Sequence, residues 1–308
     1  MRKVAIIGAG RVGETTAQIL AEQELAKEVV LIDIQPDLPQ GMALDIAQTA
    51  PFFAFDTLVS GSNDVAAMAE ADLVVITAGV ARKPGMSRSD VLETNVRVID
   101  QIVADIVQYA PDATILMVTN PVDVLTYRAW RLTGWARSRV IGQAGVLDAS
   151  RMASFIAAET GFSSRDITAL VLGGHGDTMV PVPRYCTVNG IPIDQFLSSD
   201  RIDDIVNRTR GGGAEILALR KNSSAYDAPG ASVAAMVDAI SHDRRRILPC
   251  VAILEGEYGH DDVAMGVPCV LSHHGLEAVV QLSLTDDEQA LFAASVGAIK
   301  ADIDRLPA

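Results

Sequence analysis

Through the first 142 residues, apolar positions fall in short, nearly unbroken runs: KVAIIG (3–8), EVVLID (28–33), DLVVIT (72–77), TILMV (114–118) and RVIG (139–142). Continuous rather than alternating runs of this length predict strands covered on both faces, as in a parallel sheet. Between them, apolar residues recur at helical spacing, predicting helices over about 11–22, 40–49, 88–109 and 121–133. Pro111-Asp112 stops the third of these, and Asn120-Pro121 turns the chain into the fourth. This alternation predicts a Rossmann-type, doubly wound parallel α/β domain over residues 1–142.

Beyond residue 143 the pattern changes. A helix is expected over 147–159, then DITALVLGG and the turn-rich VPVPRYCTVNGIPI. Helices follow over 199–220 and 229–242, then a short β segment and a last helix from about 285. The mixture predicts an α+β domain over 143–308, packed on the first. A total of 308 residues accommodates two units of roughly 150. Three glycines in a row, 211–213, interrupt a helical stretch, which implies close packing there or a ligand.

Gly8-Ala9-Gly10-Arg11-Val12-Gly13 follows the first predicted strand and opens the first helix. Methyltransferases and flavoproteins share this G-x-G-x-x-G spacing. In a strand–turn–helix setting, its glycines let a diphosphate approach the helix N-terminus. Asp33 closes the second strand, where a carboxylate accepts from the adenosine ribose and repels a 2′-phosphate, favouring NAD over NADP. Two more turns, Thr77-Ala78-Gly79 and Val118-Thr119-Asn120-Pro121, leave strands at the same edge. Ligands of such folds bind beyond that edge.

Charge sharpens this picture. The formal net charge is -14, so neither nucleic acid nor an anionic membrane surface is an expected partner. Yet AGVARKPGMSR (78–88) gathers Arg82, Lys83 and Arg88 next to the predicted cofactor edge. A solvated loop would account for the charge alone; its location argues instead for a small anionic substrate. The three cysteines are widely spaced, with no C-x-x-C pair, which predicts reduced thiols in the cytoplasm and no metal site. The N-terminal apolar run is short and broken by Gly8 and Gly10, so it reads as a strand rather than a signal peptide. No apolar stretch approaches the roughly 20 residues of a membrane span.

Two segments carry candidate proton chemistry. GQAGVLDASRMASF sets Asp148 and Arg151 three residues apart on one helix face. GGHGD holds His175 between glycines. A carboxylate on one ring nitrogen fixes the tautomer and leaves the other nitrogen as a base.

Taken in order and spacing, GAGRVG, Asp33, RKPGMSR, the TNP turn, LDASR and GGHGD resemble the lactate/malate dehydrogenase superfamily over the whole chain. The chain is most similar to its lactate-dehydrogenase-like malate dehydrogenases. That resemblance implies NAD-linked oxidation of a 2-hydroxy acid, with His175 as proton acceptor and Asp148 orienting it. It implies that Arg151 grips the substrate's C1 carboxylate, a pairing suited to guanidinium geometry. Arg88 would polarise the C2 carbonyl, Asn120 would contact cofactor and substrate, and Asn95 the cofactor. Arg82 falls where malate-specific members carry arginine for a second carboxylate and lactate-specific members carry glutamine. An unpaired cation buried against a methyl group costs several kcal/mol, so the implied substrate is the dicarboxylate malate or oxaloacetate. The resemblance further implies a homodimer or homotetramer. Thr119 and SAYDAPGAS (224–232) depart from the usual pattern, the latter near the pocket. The alternatives are a dehydrogenase of lactate or another 2-hydroxy acid, and a non-catalytic NAD(H) sensor.

Overall fold

The computed structural model describes residues 1–80 and 88–307, with the side chains of 88–90 outside the description. The first half alternates β1 (Lys3–Ile7), α1 (Arg11–Glu22), β2 (Glu28–Ile32), α2 (Leu38–Gln48), the single turn α3 (Ala50–Phe53) and β3 (Leu58–Ser62). It continues through β4 (Leu73–Ile76), α4 (Arg88–Tyr109), β5 (Thr114–Met117), α5 (Val122–Thr133) and β6 (Val140–Gly142). All six strands run parallel in the order β6-β5-β4-β1-β2-β3. Every residue of β4 and β5 is buried, as continuous apolar runs require in a sheet covered on both faces.

The apolar pattern does not predict strand β3. LVSGS is half-exposed at the sheet's edge, so it carries no apolar run. Its Gly61 lets the chain at Pro39 cross it: a Cβ there would lie 2.1 Å from the Pro39 carbonyl. That same crossing starts α2 two residues earlier than its periodicity indicates.

In the second half, α6 (Gly145–Thr160) is followed by the short strands β7 (Ile167–Thr168), β8 (Val171–Gly173), β9 (Met179–Pro181), β10 (Thr187–Val188) and β11 (Ile191–Pro192). Helices α7 (Ser199–Arg220) and α8 (Asp227–Ser241) come next. The single short β segment expected after them is instead three strands, β12 (Arg246–Glu255), β13 (Asp261–Ser272) and β14 (Gly275–Val279), ahead of α9 (Asp286–Ile303). They extend the parallel sheet antiparallel beyond β6, making nine strands in all. Pro249 and Pro268 make these segments look interrupted in sequence; in the sheet they lie opposite one another in register.

Two helices tie the halves together. α1 buries Gly13, Thr16, Ala17, Leu20 and Ala21, the i, i+3, i+4 stripe of an amphipathic helix. α8 is buried nearly all round and packs on α1, where Gly230 meets Thr15 so closely that a Cβ would lie 2.8 Å from its methyl. The glycine turn before α1 is thereby fixed against the second half of the chain.

Candidate active site

The turn between β1 and α1 has the conformation that its glycines imply. Gly8 adopts φ +107°, a left-handed conformation, and a Cβ on it would fall 2.6 Å from the Ala78 nitrogen. A Cβ on Gly13 would lie 2.0 Å from the Gly8 carbonyl, so only glycine lets the helix start this close to the strand. Gly10 is exposed, and a Cβ there would meet no protein atom within 4 Å. The turn thus presents an open backbone face beside the unpaired first N–H groups of α1 (Arg11, Val12, Gly13), the donors that bind phosphate oxygens.

Asp33 follows β2 and is bound into the same turn. Its Oδ2 accepts from the Ala9 N–H (2.7 Å) and its Oδ1 from the Gln35 N–H (2.9 Å). Each oxygen keeps a further lone pair for a ribose diol. The glycine turn and Asp33 therefore fit a dinucleotide laid across the carboxyl ends of the strands.

The strand-end loops after β4 and β5 are braced to one another. Asn95, 1% exposed on α4, donates to the Asn120 carbonyl (2.7 Å) and the Val80 carbonyl (3.2 Å) and accepts the Val80 N–H (2.8 Å). Thr119 donates to the Ala78 carbonyl at 2.7 Å, and Val118 is buried beside it. Asn120 itself is exposed. With the Asn95 amide engaged inside the protein, its effect on any ligand runs through the loops that it holds. Arg82 lies outside the described residues, as does Lys83. Arg88 opens α4, but its side chain is likewise outside the description.

The residues predicted for proton transfer come together. Asp148 sits in the first turn of α6, 2% exposed. Its Oδ2 pairs with His175 Nδ1 at 2.8 Å, and its Oδ1 accepts from Arg151 at 3.1 Å. Histidine and arginine keep 16% and 11% of their side-chain surface exposed. With Nδ1–H donating to the carboxylate, the Nε2 of His175 is left as the acceptor. Arg151 Nε is buried and has no hydrogen-bond partner among the described residues, while part of the side chain stays exposed.

Burial of His175 by itself would lower its pKa. The charge and hydrogen bond of Asp148, joined by Asp123, outweigh that and the opposing Arg151, so the imidazole is raised above its ordinary value.

Three neighbours complete the cluster, and no sequence motif marks two of them. Asp123, the second residue of α5, accepts the His175 backbone N–H through Oδ2 at 2.9 Å. It also brings the loop carrying Asn120, three positions earlier, up to the histidine. Ser295 on α9 accepts the Gly174 N–H at 2.8 Å, so both peptides before the imidazole are held. The triple glycine is the third: Gly212 and Gly213 of α7 face Arg151, whose Cδ would lie 3.2 Å from a Cβ on Gly212. Close packing against the arginine is what those glycines allow.

The α7–α8 junction reaches the glycine turn as well. The Tyr226 ring lies beneath Arg220 (3.9 Å from guanidinium carbon to ring centre) and near Arg11 (5.6 Å), and Arg220 pairs with Asp227 at 2.6 Å. Asp227 belongs to SAYDAPGAS, so the departure from the usual pattern forms a charge pair at the cofactor end.

Among the described residues no cluster of three or more His, Cys, Asp or Glu side chains could hold a metal ion, and no helix is long and apolar enough to cross a membrane.

A doubly wound sheet whose glycine turn and histidine–carboxylate–arginine cluster open at neighbouring strand ends defines a nicotinamide-linked dehydrogenase. Family models assign the chain more closely. Residues 2–142 match the lactate/malate dehydrogenase NAD binding domain, and residues 145–308 match the lactate/malate dehydrogenase alpha/beta C-terminal domain. The chain belongs to the lactate/malate dehydrogenase family, and its first half binds NAD.

A malate dehydrogenase of Thioalkalivibrio sulfidiphilus is 61% identical over 306 residues, covering 99% of this chain and all of the relative. The solved malate dehydrogenase of Salinibacter ruber superposes with a TM-score of 0.94 at 47% identity, covering 98% of this chain and 96% of that one. A lactate dehydrogenase of Cryptosporidium parvum, solved with lactic acid and nicotinamide adenine dinucleotide, reaches 0.94 at 37% identity and covers 99% of each chain.

Proposed function

We propose that this chain is an NAD-dependent malate dehydrogenase, interconverting (S)-malate and oxaloacetate. The observation that carries the reading is the joining of His175, Asp148 and Arg151 at hydrogen-bond distance beside a dinucleotide turn. NAD, when bound, supplies the hydride acceptor at its nicotinamide. The protein's residues do the rest. His175 Nε2 takes the C2 hydroxyl proton, and Asp148 stabilises the imidazolium that forms. Arg151 holds the C1 carboxylate through the part of its guanidinium fork that stays exposed. Asn120, held by Asn95, borders both ligands, while Gly8, Ala9, Gly10, Arg11, Val12, Gly13 and Asp33 carry the dinucleotide, with Val118 and Thr119 shaping its nicotinamide end.

The choice of malate over lactate rests on Arg82, which supplies a cation for the second carboxylate. Arg88 is assigned to the C2 oxygen, where charge develops in the transition state. The high identity to a curated malate dehydrogenase supports the same choice.

We assign residues 1–142 to NAD and residues 143–308 to substrate and proton transfer. A homodimer or homotetramer is supported by the exposed apolar side chains Leu44, Phe52 and Phe53 on α2 and α3, 61%, 85% and 54% exposed. Three buried free thiols support residence in the reducing cytoplasm.

The test is NADH oxidation with oxaloacetate by the wild type and by His175→Gln. Turnover by the wild type, with NADH binding but no turnover in the variant, is expected. A variant that still turns over would remove His175 from the proposed role.

A further inference from the structure

Among the described residues, the mechanism above leaves one buried carboxylate unused. Asp123 is 5% exposed, lies behind His175, and holds the histidine's main-chain N–H at 2.9 Å through one oxygen. Its other oxygen is buried with no hydrogen-bond partner among the described residues. We infer that Asp123 is a positioning residue for the proton transfer: its carboxylate fixes the His175 backbone and supplies a second buried negative charge that favours the imidazolium. The inference rests on the reading of His175 as proton acceptor.

The hydrogen bond alone does not call for a carboxylate. An asparagine would accept the same N–H without a charge. Burying a carboxylate with one oxygen unsatisfied is unfavourable unless a neighbouring positive charge compensates it. The nearest group that could use it is the imidazole, whose main-chain nitrogen it already holds.

The surrounding charges support that use. From the β8–β9 turn comes His175, and from α6 come Asp148 and Arg151. On its own helix its main-chain N–H also favours the charged form. Burial is the largest influence on Asp123 and pushes it up to about 6; the His175 N–H and the histidine's charge oppose this, and Asp148 adds to it. Its charged form acts with Asp148 to raise His175, against the pull of Arg151. Asp148 does this through the ring nitrogen, and Asp123 from the main-chain side.

The experiment measures kcat/KM for malate with NAD against pH, for the wild type and Asp123→Asn. Malate oxidation needs neutral imidazole, so the rate rises with pH through the His175 pKa. Loss of the Asp123 charge is expected to move that acidic limb to lower pH by about half a unit or more. NADH affinity should stay within about twofold. The Tm at pH 8 should hold or rise, because no buried carboxylate then has to ionise. A limb left in place by Asp123→Asn, with the fold intact, overturns the inference alone. A wild-type profile with no limb would remove the reading of His175, and this inference with it. Asp123→Ser, smaller and still able to accept the N–H, carries the same expectation should the asparagine variant fail to fold.

Discussion

Replacing Asp148 by asparagine tests the proton-transfer pair most sharply. The carboxylate lies 2.8 Å from His175 Nδ1 and 3.1 Å from Arg151, and it is 2% exposed, so little water can substitute for it. For unit charges roughly 4 Å apart at an effective dielectric near 20, the attraction between Asp148 and the imidazolium is about 4 kcal/mol. The Asp148→Asn variant would lose that charge but spare part of the geometry, which leaves a net effect of about 3–4 kcal/mol. Its amide N–H could also turn towards Nδ1, driving the ring proton to Nε2 and removing the acceptor. A fall in kcat for malate oxidation of roughly 10²–10³-fold follows from that range. NADH fluorescence titration should show affinity unchanged within about twofold, since the glycine turn and Asp33 make no contact with this pair. A fall of less than about tenfold, or an equal loss of NADH binding, would refute the pairing as the source of catalysis.

Three other perturbations separate specificity, packing and stability. Arg82→Gln should lower kcat/KM for oxaloacetate by about 10²-fold or more, while pyruvate reduction holds or rises; equal losses on both substrates would mean that the arginine only positions its loop. Gly212→Val adds a branched side chain where a Cβ already lies 3.2 Å from Arg151, so KM for oxaloacetate should rise with NADH affinity intact; an unaltered KM would show that the arginine can shift freely. Glu257, 14% exposed, is disfavoured as a charge by burial, yet the Arg137 hydrogen bond at 2.7 Å and backbone N–H groups depress it to about 2. Its folded pKa lies below its ordinary value of 4.5, so its stabilisation is present above that value and fades as pH falls towards 2. Glu257→Gln should therefore lose roughly 3 kcal/mol at pH 7 in denaturant melts, with the gap closing in acid; a gap independent of pH would contradict the assignment.

Much of this architecture is legible along the chain because the physics is local. Short continuous apolar runs rich in Val and Ile favour strands buried on both faces, and a glycine turn between strand and helix has few uses. The edge strand β3 gave no such signal, since half-exposed LVSGS has neither an apolar run nor alternation. Strands β12 and β13 were disguised by Pro249 and Pro268, which the sheet accommodates by setting them opposite each other. Asp148 and Arg151 announce themselves by their i, i+3 spacing. Asp123 does not, because an acidic residue near a helix start is ordinary. Its significance comes from α5 delivering it, 123 to 175, across fifty-two positions of chain to one backbone N–H. A carboxylate set among the apolar residues Val122, Val124 and Leu125 was the one available hint. The packing of Gly212 on Arg151 is likewise a tertiary contact that no spacing reveals.

The central claim is a choice of substrate, and steady-state reduction by NADH of oxaloacetate and of pyruvate decides it directly. With Arg82 and Arg151 each pairing one carboxylate, kcat/KM for oxaloacetate should exceed that for pyruvate by about 10²-fold or more. A preference for pyruvate, or equal rates on the two, would contradict it.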